Sequence, residues 1–386
     1  IVHLVLARVV GAPEGVKGIS LFVVPKFMVN KDGSLGARND VHCVSIEHKL
    51  GIKASPTAVL QYGDHGGAVG FLVGQENRGL EYMFVMMNAA RFAVGMQGIA
   101  VSDRAYQQAL AFAKDRLQSR DLAGSPGPVA IIQHPDVKRM LLTMKAHTEA
   151  ARALAYCTAA TSDLAHHASD EAVRREQQAV YEYLVPIVKG HSTELSIELT
   201  SLGVQIHGGM GFIEETGAAQ YYRDARIAPI YEGTNGIQAM DLVGRKLSMD
   251  GGDAAKALIA DMKATLVDLG KLYSGKPVER FATAIEAVED ATLWLLDQKA
   301  DPNAAADVLA AAQTTADKVD VVMIGTTHFT NAVVQRRDLA PVAAVRLCLP
   351  ATASLPPMVD WPEDLRAVLG NHWYLAHGGN EFDGRV

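Results

Sequence analysis

The chain has 386 residues, of which 49% are apolar and 20% are charged, a composition typical of a globular protein with material for two or three domains. Its formal net charge is −7, so no basic surface that would bind a nucleic acid is predicted. No uncharged run reaches the roughly 20 residues that span a bilayer, so no membrane partner is predicted either.

Three cysteines, Cys43, Cys157 and Cys348, lie far apart and form neither a C-x-x-C pair nor a zinc-binding spacing with histidines. We therefore expect buried free thiols in a reducing, cytoplasmic compartment, and no metal site. The chain begins IVHLVLARVV, without a signal-peptide layout. This start resembles the middle of a strand, so we expect a fragment of a longer protein.

The first 75 residues have the pattern of a β-domain. Apolar, β-branched runs alternate there with turns rich in glycine, proline and aspartate. The predicted strands lie at 1–10, 18–27, 42–46, 58–62 and 68–73.

Long helices follow the β-domain. Residues 80–118 contain no proline and repeat apolar residues at three- and four-residue spacing, which predicts a continuous first helix. A second helix is predicted from His134-Pro135-Asp136 to about residue 167, because proline and an acidic residue favour the first helical turn. A third runs from about 170 to 202 and contains Pro186, which should kink it.

A fourth helix is predicted over about 234–249, and short connections between such helices favour an antiparallel four-helix bundle. Residues 253–298 have the pattern of two further amphipathic helices, broken at 275–277. The character changes beyond about residue 312, where 319–324 has the pattern of a buried strand.

The segment 205–238, QIHGGMGFIEETGAAQYYRDARIAPIYEGTNGIQ, contains a Gly-Gly turn, the pair Arg223-Asp224 and the glutamate Glu232 just before a helical pattern. A carboxylate beside glycines can act as a base toward a flat ligand that approaches the backbone closely. The alternative is a solvated glutamate at a helix start, where the helix dipole favours negative charge. We expect Arg223-Asp224 to form a structural salt bridge.

Five blocks in order resemble the acyl-CoA dehydrogenase family, from residue 1 to about 312. They are GISLFVVPKF (18–27), EHKLGIKASPTAVL (47–60), ENRGLEYMFVMMNAAR (76–91), QIHGGMGF (205–212) and YRDARIAPIYEGTNGIQ (222–238). The chain looks most like the longer bacterial subgroup that includes 3-methylmercaptopropionyl-CoA dehydrogenases, which implies a bacterial, cytoplasmic protein.

The resemblance implies a mainly α fold, in which a partial β-domain precedes an antiparallel four-helix bundle of acyl-CoA dehydrogenase type and a truncated α/β segment ends the chain. The implied divisions are a β-domain remnant over 1–76, the bundle over 77–247, a helical extension over 248–312 and the last segment over 313–386. The helical domain and the half β-domain with which the family begins are absent from this sequence.

The same resemblance implies oxidation of an acyl-CoA to its enoyl form, with Glu232 as the base and FAD as the hydride acceptor. The implied FAD contacts are Arg116, Gln118, His134, Gln205, Ile206, His207, Gly208, Gly209, Gly233, Thr234, Asn235, Gly236 and Gln238. The contacts at 116–118 and 205–209 are expected across a subunit interface. In the family, a Phe-Gly pair usually follows the motif that matches residues 116–118. Here Ser119-Arg120 stands in its place.

Several of these residues also have a structural interpretation. Thr234 has the position of a helix N-cap, and His134 that of a residue at a helix start. His207 would otherwise be a surface or core histidine. Asn88 and Arg91 match residues near the bound CoA thioester, although an arginine inside a bundle can instead pair with a buried acid.

The implied partners are an acyl-CoA substrate, electron-transferring flavoprotein as electron acceptor, and further copies of the chain in a homodimer or homotetramer. The alternatives are a catalytically incomplete helical bundle that self-associates, and an acyl-CoA oxidase with the same fold. Residues 313–386 resemble the N-terminal region of hydantoinase/oxoprolinase proteins. We expect the junction near 305–318 to be accidental and not a bifunctional enzyme, because both parts are truncated there.

Overall fold

The computed structural model of the protein describes residues 1–297, 343–349 and 372–377. The chain divides into two compact units, Ile1–Val308 and Leu309–Val386. In the second unit, the described backbone is a pair of parallel strands, β8 (Ala343–Leu349) and β9 (His372–His377). The strand expected at 319–324 lies outside the described residues.

Short antiparallel strands form the first part of the larger unit, as the alternating apolar runs predict. They are β1 (Val2–Arg8), β2 (Ile19–Pro25), β3 (Phe27–Val29), β4 (Leu35–Arg38), β5 (Val41–Ile46), β6 (Ala58–Tyr62) and β7 (Phe71–Val73). One sheet has the order β1-β2-β7, while β3 pairs with β4 and β5 with β6. The β3–β4 hairpin was not predicted, because its strands are short and carry little apolar pattern.

Helices form the rest of the described part of this unit. They are α1 (Gly79–Asp115), α2 (Pro135–His167), α3 (Glu171–His207), α4 (Gly209–Phe212), α5 (Ala218–Ala225), α6 (Asn235–Asp241), α7 (Asp253–Leu272) and α8 (Lys276–Asp297). Proline at the first position begins α2, and the Asp170 carboxylate accepts a hydrogen bond from the Ala172 N–H at the start of α3. The mainly α bundle fold is confirmed.

The bundle is organised around α3. Gly98 of α1 packs on Ser192, and Phe112 stacks on His207, so α1 and α3 run in the same direction. Met144 of α2 reaches Gly203, whereas Leu154 packs near Val180 and Leu184, so α2 runs antiparallel to both. The core between them is mostly small and aliphatic. Its most buried members are Ile99, Ala109, Ala113, Met144, Ala151, Ala155, Val188 and Leu199.

The β strands are fastened to the bundle by polar contacts. The Ser20 hydroxyl of β2 accepts a hydrogen bond of 2.8 Å from the Asn77 N–H just before α1. The Asp224 carboxylate of α5 accepts one of 2.6 Å from the Ile52 N–H. The expected Arg223–Asp224 salt bridge is therefore wrong: Asp224 anchors the β part, and Arg223 pairs with Glu214 at 3.6 Å.

Several predicted boundaries need correction. The third helix continues past 202 to His207, and it runs through Pro186 as predicted. The fourth is short, because a π-helical turn, Leu242–Lys246, follows α6. Such endings are decided by contacts with other parts of the fold.

The cysteine prediction is wrong for the two cysteines whose side chains are described. Cys43 and Cys157 are free but exposed. Cys43 lies on β5, where every residue after the first is exposed. The side chain of Cys348 lies outside the described part of the chain.

By length and composition, α1 could cross a membrane. A helix of a soluble bundle passes the same test, and α1 packs closely along α3. Its packing accounts for it as a bundle helix.

The close approach of α1 and α3 predicts the effect of one added methyl group. A Cβ at Gly98 would lie 2.6 Å from the Ser192 carbonyl oxygen, whereas one at Gly190 of α3 meets nothing closer than 4.0 Å. We expect Gly98→Ala to lower the free energy of unfolding by about 1–3 kcal/mol. Gly190→Ala should leave it unchanged or raise it by up to about 1 kcal/mol. Equal stability of the two variants in urea unfolding would contradict this packing.

Candidate active site

Glu232 lies in the turn between α5 and α6. Its φ is +55°, and that of Gly233 is +82°, so two successive residues have left-handed backbone. This conformation costs a non-glycine residue roughly 1–2 kcal/mol and persists only where surrounding contacts enforce it. The Glu232 side chain is half-buried. Its setting is thus a constrained turn and not a freely solvated helix start.

The main support of this turn is Lys189, which sequence reasoning missed. Lys189 lies in the middle of α3 and is fully buried. Its ammonium donates to the Gly233 carbonyl oxygen at 2.7 Å and to Asn235 Oδ1 at 3.0 Å. A lysine inside the otherwise apolar run YLVPIVKG was the available signal, since an unpaired charge is rarely buried.

The side chains of Asn235 and Gln238 complete this support. The Asn235 amide donates to Glu194 Oε2 at 2.7 Å and to the Gly190 carbonyl at 3.1 Å. The Gln238 amide donates to the carbonyls of Glu232 and Gly233 at 3.3 and 3.2 Å. Both amide nitrogens therefore fix the turn.

Thr234 is the N-cap of α6, as its structural interpretation predicted. Its hydroxyl accepts a hydrogen bond of 3.3 Å from the Ile237 N–H. Gly236 is half-buried in the first turn of the same helix. The backbone on the carboxyl side of Glu232 is therefore anchored as well.

Several ionisable groups lie close to one another at the Glu232 turn. Burial, reinforced by the nearby Arg91, lowers the pKa of Lys189 to about 8, while Glu194 and Glu232 act in the opposite direction. Burial, followed by the charge of Glu232, raises the pKa of Tyr231, whose hydroxyl donates to Gln97 Oε1. The Glu232 carboxylate is thus close enough to the buried ammonium of Lys189 to favour its charged form.

Arg91 lies beside this turn but is engaged within the chain. Its Nη1 donates to Asp241 Oδ2 at 2.7 Å, which is the buried pair that the sequence left open. Its Nε is buried and has no hydrogen-bond partner. Asn88, one turn earlier on α1, is half-buried. The structure thus places Arg91 beside the turn, and Asn88 one helical turn away from Arg91 on α1.

The predicted contacts at 205–209 lie at the carboxyl end of α3. Ile206 and His207 are buried in the bundle core, where His207 Nδ1 donates to the Gly203 carbonyl at 2.7 Å and the ring stacks on Phe112. Their side chains serve packing. Gln205 is exposed, and Gly208 has φ +58° and ψ −139°, a conformation restricted to glycine.

Arg116, Gln118 and His134 form a second group in the connection between α1 and α2. His134 Nε2 donates to the Gln118 carbonyl at 2.8 Å, and Arg116 Nη2 lies 3.5 Å from Gln118 Oε1. His134 is the N-cap residue of α2, as expected for a residue at a helix start, although its side chain makes no capping hydrogen bond. Gln118 therefore contacts both Arg116 and His134.

The predicted residues fall into two regions of the chain. Lys189 beneath Glu232 and His207 are eighteen residues apart on α3, which corresponds to about 27 Å along the helix. Phe112, stacked on His207, lies four residues before Arg116, so the 205–209 and 116–134 groups share one end of the bundle. One chain by itself does not bring these groups to Glu232.

Residues 77–247 match the family of acyl-CoA dehydrogenase, C-terminal domain. This segment belongs to the acyl-CoA dehydrogenase family. Over 283 residues the chain is 58% identical to 3-methylmercaptopropionyl-CoA dehydrogenase of Ruegeria pomeroyi, and this match covers 73% of this chain and 47% of that protein. Over 280 residues the chain is 40% identical to a broad-specificity linear acyl-CoA dehydrogenase of Mycobacterium tuberculosis, and this match covers 70% of this chain and 45% of that protein.

A solved structure supports the acyl-CoA dehydrogenase fold. The Caenorhabditis elegans protein ACDH-11 in complex with C11-CoA matches with a TM-score of 0.57 at 19% identity, over 87% of this chain and 61% of that one. The chain spans about half the length of the curated relatives it matches.

Residues 299–378 match the hydantoinase/oxoprolinase N-terminal region, so both resemblances read from the sequence are confirmed.

The buried ammonium predicts a pH dependence of stability. Because the pKa of Lys189 is about 8 when folded and 10.5 for an ordinary lysine, the unfolded chain binds more protons between these values. From about pH 8 to about pH 10, the free energy of unfolding of the wild type should therefore rise relative to that of Lys189→Met. Below about pH 8 the difference should be constant.

Urea unfolding of both proteins across this range measures the effect. Lys114→Met, at an exposed position near the end of α1, serves as the control and should follow the wild type. A difference between wild type and Lys189→Met that does not change with pH would contradict the lowered pKa.

Proposed function

We propose that the chain is part of an FAD-dependent acyl-CoA dehydrogenase, which converts an acyl-CoA thioester to its enoyl-CoA with Glu232 as the base. One observation carries the proposal. Glu232 is held in a left-handed turn by a buried lysine and two buried or half-buried amides. Strained backbone that surrounding hydrogen bonds hold in place is concentrated at functional sites.

The chemistry requires such positioning. A proton next to a thioester carbonyl is only weakly acidic, so its removal needs a carboxylate fixed against the α-carbon. The hydrogen bonds from Lys189 and Gln238 to the backbone of the turn fix the direction in which the Glu232 side chain leaves it. When bound, the flavin supplies the acceptor for the hydride.

The residues around the turn fit a flavin. Gln238 Oε1 and Arg91 Nε are buried without a hydrogen-bond partner, and both side chains flank Gly233. A side chain at Gly233 would crowd Gln238 Nε2 at 3.0 Å. The missing Cβ therefore lets the Gln238 and Arg91 side chains lie against the turn, where their unpaired polar atoms could serve a ligand edge.

A second region fits the phosphate part of the cofactor. A Cβ at Gly208 or Gly209 would meet nothing within 4 Å, so a ligand can approach this backbone. Arg116 presents an exposed guanidinium, a group suited to phosphate. Since α3 separates this region from Glu232, we propose that the two complete different flavin sites in a homodimer or homotetramer.

The partners follow from the same proposal. The relatives are named for acyl-CoA substrates, and a protein of Acetobacterium woodii that is 28% identical over 234 residues is a subunit of a caffeyl-CoA reductase-Etf complex. We propose an acyl-CoA as substrate, electron-transferring flavoprotein as electron acceptor, and a cytoplasmic location in a bacterium.

Replacing the proposed base tests the reaction. With the chain reconstituted with FAD, anaerobic addition of butyryl-CoA or 3-methylmercaptopropionyl-CoA should bleach the flavin absorbance. Glu232→Gln should lower the bleaching rate by at least about 10³-fold, at the strong end of what loss of a positioned base costs. It should retain the flavin, because the Lys189 and Gln238 contacts are made to the backbone of the turn.

Glu215→Gln is the matched control, because Glu215 is an exposed glutamate of the same segment. It should bleach like the wild type. Bleaching by Glu232→Gln at the wild-type rate would refute the assigned base. A wild-type chain that binds no flavin would refute the proposal for this polypeptide, and peroxide release in air would identify an oxidase.

A further inference from the structure

A cluster of two histidines and one aspartate lies at one end of the β5–β6 hairpin, in the β part of the chain. Asp40 immediately precedes β5, and His42 is its second residue. Residues two apart on an extended strand point to the same side. Val41 pairs with Tyr62 at the end of β6, so the loop after β6 brings His65 to this side as well.

The side chains converge on one oxygen. His42 Nε2 and His65 Nδ1 each lie 3.3 Å from Asp40 Oδ1, and the three ligand atoms lie within 4.8 Å of one another. In a tetrahedral zinc site with bonds of roughly 2.0–2.1 Å, neighbouring ligand atoms are about 3.3 Å apart. Both measured distances therefore equal the edge of such a tetrahedron.

The contacts to Asp40 Oδ1 are long for hydrogen bonds. His65 Nδ1 lies within hydrogen-bond reach of this oxygen at 3.3 Å, whereas the usual length of an N–H···O bond is about 2.9 Å. Both imidazoles approach the same oxygen at this distance. A shared ion would account for both contacts at once.

The carboxylate is held in place for this role by its other oxygen. Asp40 Oδ2 accepts hydrogen bonds from the backbone N–H groups of His65, at 2.6 Å, and Gly67, at 3.3 Å. The Asp40 side chain is only 10% exposed, whereas those of His42 and His65 are 45% and 73% exposed. One oxygen thus fixes the loop, and the other faces two imidazoles on a side that is open to solvent.

We propose that Asp40, His42 and His65 bind a divalent transition-metal ion of the zinc class. Two imidazole nitrogens and one carboxylate oxygen suit zinc, whereas calcium and magnesium take oxygen ligands. Three protein ligands leave a fourth position for water or an external donor. The ion would join the start of β5 to the loop after β6.

Metal binding to the full chain tests the proposal directly. After removal of metals with a chelator, zinc is titrated calorimetrically into the wild type and into the single variants His42→Ala and His65→Ala. The wild type should bind one zinc equivalent more than either variant. His48→Ala is the matched control, because His48 is an exposed histidine shortly after β5 and outside the cluster, and it should bind like the wild type.

Thermal unfolding gives a second measurement. An ion that binds only the folded chain raises the melting temperature, so excess zinc should stabilise the wild type and His48→Ala more than His65→Ala. The differences between proteins decide the outcome, because the chain contains 13 histidines in all. Equal zinc stoichiometry in the wild type, His42→Ala and His65→Ala, or no zinc bound by any of them, would overturn the proposal.

Discussion

The hydrogen bond from the buried Lys189 ammonium to the Gly233 carbonyl is the contact on which the candidate active site depends. A left-handed turn directs its carbonyl groups away from any regular ladder, and an unpaired carbonyl in the interior costs about 1–3 kcal/mol. Burying an ammonium is also costly, by several kcal/mol before its partners are counted. Each group supplies the partner that the other needs, and the lowered pKa of Lys189 shows that the compensation is incomplete.

The position of that ammonium follows from the packing of the bundle. Val188, next to Lys189, occupies the space that a side chain at Gly95 would fill, since a Cβ there would lie 2.8 Å from Val188 Cγ1. Glycine in α1 therefore lets α3 approach closely enough for Lys189 to reach the turn. One turn before Gly95, Arg91 reaches across to Asp241 at the end of α6. The same two helices thus hold α6 at both of its ends.

Local pattern predicted most of the secondary structure, and its failures have a common cause. Apolar spacing, Pro135 and the Asp170 cap locate the starts of α2 and α3 within a residue. The end of α3 was placed five residues early, because Gly203 and the glycines after His207 look like a helix end. In the fold, Gly203 lies against Ala105 and Met144, so the glycine serves helix packing. A glycine's role in such a helix is decided by its neighbour in space.

The candidate site was predictable only in part, for the same reason. The resemblance pointed to Glu232 and the residues that follow it, and the structure places these in one constrained turn. It did not indicate Lys189, for which the apolar run YLVPIVKG around the lysine was the available signal. Nor could the resemblance show whether Ile206 and His207 act through their backbone or their side chains. The structure places both side chains in the core.

The histidine cluster illustrates how backbone contacts can organise chemistry that no sequence spacing reveals. Asn39 is buried and bonds to the backbone of Pro25 and of Val69, through its amide and its carbonyl. Its neighbour Asp40 bonds to the backbone of the same loop at His65. Adjacent side chains thus fix both sides of a loop without regular structure. Since the loop backbone is fixed, the imidazole of His65 is brought to Asp40 by the fold, although 25 residues separate them along the chain.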